Sequence, residues 1–264
     1  MNFLSHHHVA RNAARRDAPP ELFLGNVLPD LLSRTGGGRL RAGNLPPAAS
    51  DTSLTAGIRL HLAADAAFHG GDAFKRLSAE AGDHLRRQPF AEPPRRLFFV
   101  AHVFVELALD AHLLDEEPGI ADDLYARIAD ADTDAAARET AGLMGRPDGI
   151  EDRAQDIARH VRWFTEARYL QDYREPEGLS EAMRRINGRA GLQNFVSRAD
   201  ARRLASAFAS FRPELRRAAP DLLRVPPTAV GPWYNGDETT TEMGRVTREL
   251  HPPGRDEEDA DGDA

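Results

Sequence analysis

Apolar residues recur along this chain at helical spacing, and no stretch keeps the period of two expected of a half-buried strand. The pattern predicts an all-α fold. A first helix is expected in NFLSHHHVARNA (2–13). A second is expected in PPELFLGNVLPDLLSR (19–34), with Pro19 and Pro20 at its start. TGGGRLRAGNLPPAASDTS (35–53) reads as a long surface loop. From Leu54 a helix should run to about His69, break at Gly70-Gly71, and give way to another. PFAEPP (89–94) is a breaker. RRLFFVAHVFVELALDAHLLDEE (95–117) is the most apolar segment and the expected central buried helix. At least three more helices fit between Gly119 and Arg217, one of them containing EDRAQDIARHVRWFTEARYLQDY (151–173). Proline content rises beyond about Pro220, and the last dozen residues are almost all polar. The expected division is therefore one multi-helix domain over 1–219 and a disordered tail over 220–264. No internal repeat is visible.

Composition narrows the chemistry. The chain has 264 residues and no cysteine, which excludes disulfides, thiolate metal sites and a cysteine nucleophile. Its net charge of −8 is uneven, because residues 237–264 alone carry ten acids and three arginines. The body is close to neutral and shows no basic block, so a nucleic-acid partner is not expected. The N-terminal apolar run is too short for a secretory signal, and no apolar run approaches the length of a membrane span. A cytoplasmic setting is the default expectation.

The informative residues are polar ones on apolar helices. Positions i, i+4 and i+8 drift by only about 40° per step on a helix. His61, Asp65 and His69 therefore share a face, and so do His102, Glu106 and Asp110. The second set is surrounded by Phe98, Phe99, Val100, Val103, Phe104, Val105, Leu107 and Leu109, where an unpaired carboxylate would cost several kcal/mol. Such groups need a metal, an arginine or each other. Imidazoles and carboxylates in this number suit first-row divalent metals. His6 or His8 could add a nitrogen, though they lie about 200° apart on a helix and only one would face a shared site. Asp30 could add an oxygen. Helical bundles build metal sites in this way, from inward ligands on several helices. The plainer readings are a solvated stripe for 61/65/69, a structural polar network for 102/106/110, and surface histidines for His6-His7-His8. His84, His160 and His251 lack a matching acidic face, His112 points away from the site, and His160 and Trp163 read as packing residues.

Four blocks resemble a known family in order and rough spacing over residues 1–191. MNFLSHHHVA, LGNVLPDLL (24–32), GIRLHLAADAAFH (57–69) and WFTEARYLQDYREPEGLSEAMRRINGRAG (163–191) are similar to successive blocks of the acyl carrier protein phosphodiesterases. That resemblance implies an all-α fold related to HD-domain phosphohydrolases. It further implies a divalent metal, usually manganese, and hydrolysis of the phosphodiester joining 4′-phosphopantetheine to a carrier-protein serine. By this resemblance His6, Asp30, His61 and Asp65 match metal-site positions of the family, and Asn26 matches its GN asparagine. The chain departs from the family at Leu62, where an arginine stands, at His69, where an aspartate stands, and at His102, Glu106 and Leu107, which replace a D…DH pattern. These changes move ligands from oxygen towards nitrogen, and so towards zinc or iron.

The resulting expectation is a metal-dependent phosphodiesterase with His6, Asp30, His61, Asp65, His69, His102 and Glu106 around the metal. Asp30 or Asp110 would act as general base, and the acyl carrier protein would be the partner. AHVFVELALDAHLL also resembles helices of zinc-dependent phospholipase C and related nucleases, whose N-terminal tryptophan and export signal are absent here. A helical scaffold with a buried histidine–acid network is the non-catalytic alternative.

Overall fold

The computed structural model describes residues 1–33, 40–144 and 148–224. TGGGR (35–39) and the tail beyond Arg224 lie outside the described residues. Among those described, all regular structure is helical, as the periodicity requires. The α-helices are α1 (Phe3–Ala13), α2 (Pro20–Ser33), α3 (Ser53–Gly70), α4 (Asp72–Arg86), α5 (Leu97–Glu116), α6 (Ile120–Ala129), α7 (Thr133–Leu143), α8 (Ile150–Ala167), α9 (Pro176–Arg189) and α10 (Arg198–Leu222). Short 3₁₀ turns occupy Ala42–Asn44, Ala48–Ser50 and Tyr169–Arg174.

Local chemistry sets several of these boundaries. Thr52 caps α3 by accepting a hydrogen bond from the Thr55 amide. Gly71 ends α3 and begins α4, at the expected glycine break. Helix α10 runs through Pro213 and Pro220 to Leu222. The segment 151–173 is not one helix. Helix α8 stops at Ala167 because Arg168 adopts a left-handed conformation, with φ 46°. Its guanidinium pairs with Asp122 and lies 4.8 Å from the centre of the Tyr125 ring, which holds the turn. The Tyr125 hydroxyl then accepts a hydrogen bond from the Leu170 amide.

Helix α5 is central, packing against α1, α4, α9, α10 and the turn at 169–174. It is 20 residues long with a mean hydropathy of 1.8 over an 18-residue window. By length and composition it could cross a membrane, which the sequence pattern did not suggest. However, 67% of that window is buried inside the bundle, the setting of a core helix.

Helices α2 and α3 touch backbone to backbone. A Cβ on Gly25 would lie 2.2 Å from the Leu54 carbonyl oxygen, and one on Gly57 would lie 2.0 Å from that of Leu22. Only glycine permits this crossing. The crossing sets the spacing of the two helices that carry Asp30 and His61.

Candidate metal centre

The glycine-locked crossing brings Asn26 of α2 against both α1 and α3. Its side-chain amide donates to the His6 carbonyl at 2.7 Å. Its own backbone carbonyl accepts from His61 Nδ1 at 2.9 Å. A carbonyl can only accept, so Nδ1 carries a proton, and in the neutral ring the lone pair is on Nε2. That nitrogen faces Asp30 Oδ1 at 4.0 Å. Backbone carbonyls fix metal-binding histidines in this manner.

His6 and His61 are buried and stacked, with ring centres 3.8 Å apart. His6 Nε2 lies 3.4 Å from Asp65 Oδ1 and 3.9 Å from Asp30 Oδ2. Neither ring nitrogen of His6 makes an aligned hydrogen bond among the described residues. Burial and the neighbouring His61 push its pKa down to about 3, so the ring is neutral near pH 7. Asp30 keeps 26% of its side-chain surface open. The opening is narrow enough that desolvation still raises its pKa. Asp65 is also desolvated, yet His6 and the Met1 amino group outweigh that effect and hold it ionised. His6, His61 and Asp65 each offer one donor atom, all within 4.8 Å of one another.

A second set of three adjoins the first. His69 Nε2 and His102 Nε2 each lie 3.1 Å from Glu106 Oε1, and their rings stack at 4.7 Å. These three residues also offer donor atoms within 4.8 Å of one another. His69 links the sets, since its Nδ1 is 3.8 Å from Asp65 Oδ1. The Met1 ammonium links them too, at 2.8 Å from Asp65 Oδ1 and 3.1 Å from Glu106 Oε1. Burial works against that ammonium, but Glu106, Asp65 and Asp30 together raise its pKa to about 10. Glu106 is correspondingly ionised: the ammonium and both imidazoles overcome its burial. The triplet faces of α3 and α5 therefore converge on one cluster, and α1 and α2 add His6 and Asp30.

Asp110 is a correction. It does not face the cluster, so it is no general base there. Its Oδ1 accepts from the Ser5 amide at 2.9 Å and the Ser5 hydroxyl at 2.6 Å, and its Oδ2 accepts from the Leu4 amide at 3.1 Å. Asn2, at the N-cap of α1, makes no side-chain capping bond, so Asp110 satisfies those amides from another helix. Burial raises its pKa to about 7 despite these donors.

The three consecutive histidines divide. His6 faces the cluster. His7 is buried rather than superficial, and its Nε2 pairs with Asp123 at 2.8 Å. His8 lies beside Asn12, away from the site. His84 is structural, placed by the Ala207 carbonyl and Ser210. His160 and Trp163 are not packing residues: both line a cavity, and Trp163 is 54% exposed. His251 lies outside the described residues. The residues missed in the sequence were the Met1 amino group and the second role of Asn26. The GN pair was the only signal for the latter.

Two donor sets that share a border, one of them carrying a buried neutral imidazole with unsatisfied nitrogens, could hold one or two divalent cations. No family model, curated protein or solved structure matches this chain.

Proposed function

We propose that this chain is a metal-dependent hydrolase of phosphoric diesters. The observation that carries the proposal is the His6–His61–Asp65 set. Two imidazoles stack beside an ionised carboxylate: the Asn26 carbonyl orients the His61 ring through Nδ1, and burial keeps His6 neutral. Burying His6 without an aligned hydrogen bond at either nitrogen, its Nε2 only 3.4 Å from Asp65, is costly, and a cation between that nitrogen and the carboxylate would relieve the cost. His69, His102 and Glu106 would hold a second ion. Four imidazoles and two carboxylates favour zinc or iron over manganese.

A bound divalent cation supplies Lewis acidity towards a phosphoryl oxygen and makes water more acidic. The chain's residues have separate tasks around it. His6, His61 and Asp65 fix the cation's place. Asn26 orients His61. Asp30, lying 3.9 Å from His6 and 4.0 Å from His61 with a raised pKa, accepts a proton from the attacking water. The diester that joins phosphopantetheine to a carrier protein is the first substrate to test, on the strength of the resemblance in four sequence blocks.

A structural reading fits the second set, whose members already hydrogen-bond one another. One experiment separates the two. Protein purified without chelator is assayed for metal, for cleavage of bis-p-nitrophenyl phosphate, and for release of phosphopantetheine from holo carrier protein. The proposal expects about one to two divalent ions per chain and cleavage that is lost in folded His61→Ala. A metal-free, inactive and fully folded protein that takes up no zinc, iron or manganese contradicts it.

A further inference from the structure

A second site stands apart from the histidine cluster. Helices α2, α8 and α9 and the turn at 169–174 enclose a cavity of about 840 Å³, a volume suited to a small organic ligand. Its lining is aromatic and cationic. Trp163, Tyr169 and Tyr173 supply rings, Arg159, Arg185 and Arg189 supply guanidiniums, and among the described residues no carboxylate lines it. That is unusual in a chain with more acids than bases.

The rings are held in place from behind. Tyr169 packs against Phe3 and Phe164, with ring centres 6.4 and 5.6 Å away. Trp163 lies over Tyr169 at 5.7 Å and tilts by 32°, while 54% of its surface stays open. A large indole left half-open beside fixed rings is a ready stacking surface. Among the cations, Arg159 pairs with Asp156 at 2.7 Å. Arg185 makes no side-chain hydrogen bond or ion pair among the described residues. An anion entering the cavity would meet that unpaired guanidinium, and guanidiniums bind phosphate oxygens in a fork.

We propose that this cavity binds a nucleotide-sized aromatic phosphate, with Arg185 and Arg189 on the phosphate and Trp163 against the flat ring system. Aromatic walls and clustered guanidiniums fit that class better than a fatty acid, since among the described residues Leu31, Ala182 and Ile186 are the only aliphatic side chains in the lining. The site is independent of the metal reading, although α2 carries a residue for each: Asp30 in the cluster and Leu31 in the cavity wall.

The test is calorimetric titration of the full chain with adenosine monophosphate, inorganic phosphate and dodecanoate, in buffer containing chelator. The expected result is one saturable site for the nucleotide with a Kd of roughly 10–100 μM, and at least about tenfold weaker binding of inorganic phosphate. Arg185→Ala combined with Arg189→Ala, and separately Trp163→Ala, should each weaken nucleotide binding about tenfold or more. All three positions are exposed, so the variants should keep the helical circular-dichroism signal. His61→Ala should bind the nucleotide as the parent does. The proposal is overturned by any of three results: no saturable nucleotide binding, binding that survives the arginine and tryptophan substitutions, or binding that is lost in folded His61→Ala. Preference for dodecanoate over the nucleotide also overturns it.

Discussion

Helices α3 and α5 each carry three ionisable side chains at four-residue intervals, and the two sets have different fates. On α3, His61, Asp65 and His69 all reach the cluster. On α5, His102 and Glu106 reach it, but Asp110 turns to the N-terminus of α1 and takes three hydrogen bonds there. One helical turn separates a candidate metal ligand from a structural cap. Helical spacing decides which residues share a face. The element packed against that face decides what each residue does. Asp110 is buried and held by three donors. His6 presents two buried nitrogens without hydrogen-bond partners among the described residues.

The comparison can be broken by substitution. Asp110→Ala should destabilise the chelated protein most, by about 3 kcal/mol or more, because it strands buried donors of Leu4 and Ser5. Thermal or urea unfolding measures this, and a loss below about 1 kcal/mol would deny Asp110 its capping role. Gly57→Ala should follow, at about 2 kcal/mol or more, since its Cβ would press on the Leu22 carbonyl oxygen. It should also weaken metal uptake by moving α3, read by the zinc concentration needed to saturate the protein.

A pH series gives a smaller effect. His6 is lowered from 6.5 to about 3 in the folded chain, so the unfolded chain binds more protons between those values. The contribution of His6 to stability without metal should therefore be complete above pH 6.5 and be lost as the pH drops towards 3. The fall attributable to His6 is about 1 kcal/mol between pH 6.5 and about 5.5. Unfolding of parent and His6→Asn across that range checks it: the parent should show the steeper loss. Glu106→Gln should change metal-free stability least, by about 1 kcal/mol, because glutamine keeps the shape and an acceptor oxygen while the Met1 ammonium keeps Asp65. Its effect should appear in metal affinity instead.

Much of the helical order was legible in the sequence, because apolar period and glycine or proline punctuation are local signals. The Gly70-Gly71 break and the buried α5 are examples. The turn at Arg168 was not legible, since a left-handed arginine depends on Asp122 and Tyr125, more than 40 residues away. The cluster was legible by residue type and spacing for His61, Asp65, His69, His102 and Glu106. Asp110 was misread because its partners, the amides of Leu4 and Ser5, lie more than 100 positions away. The cavity was not visible either: Trp163 and Arg185 belong to different helices, and nothing local marks them as neighbours.

The most direct measurement is zinc titration of the chelator-stripped full chain, monitored by calorimetry, for the parent and for His61→Ala, Glu106→Gln and Asp110→Asn. Tight, saturable binding should be weakened by about 100-fold or more in His61→Ala and clearly weakened in Glu106→Gln. Folded Asp110→Asn should bind within about threefold of the parent. Equal affinity in the parent and folded His61→Ala, or no zinc binding by the parent, would contradict the assignment of this cluster as a metal centre.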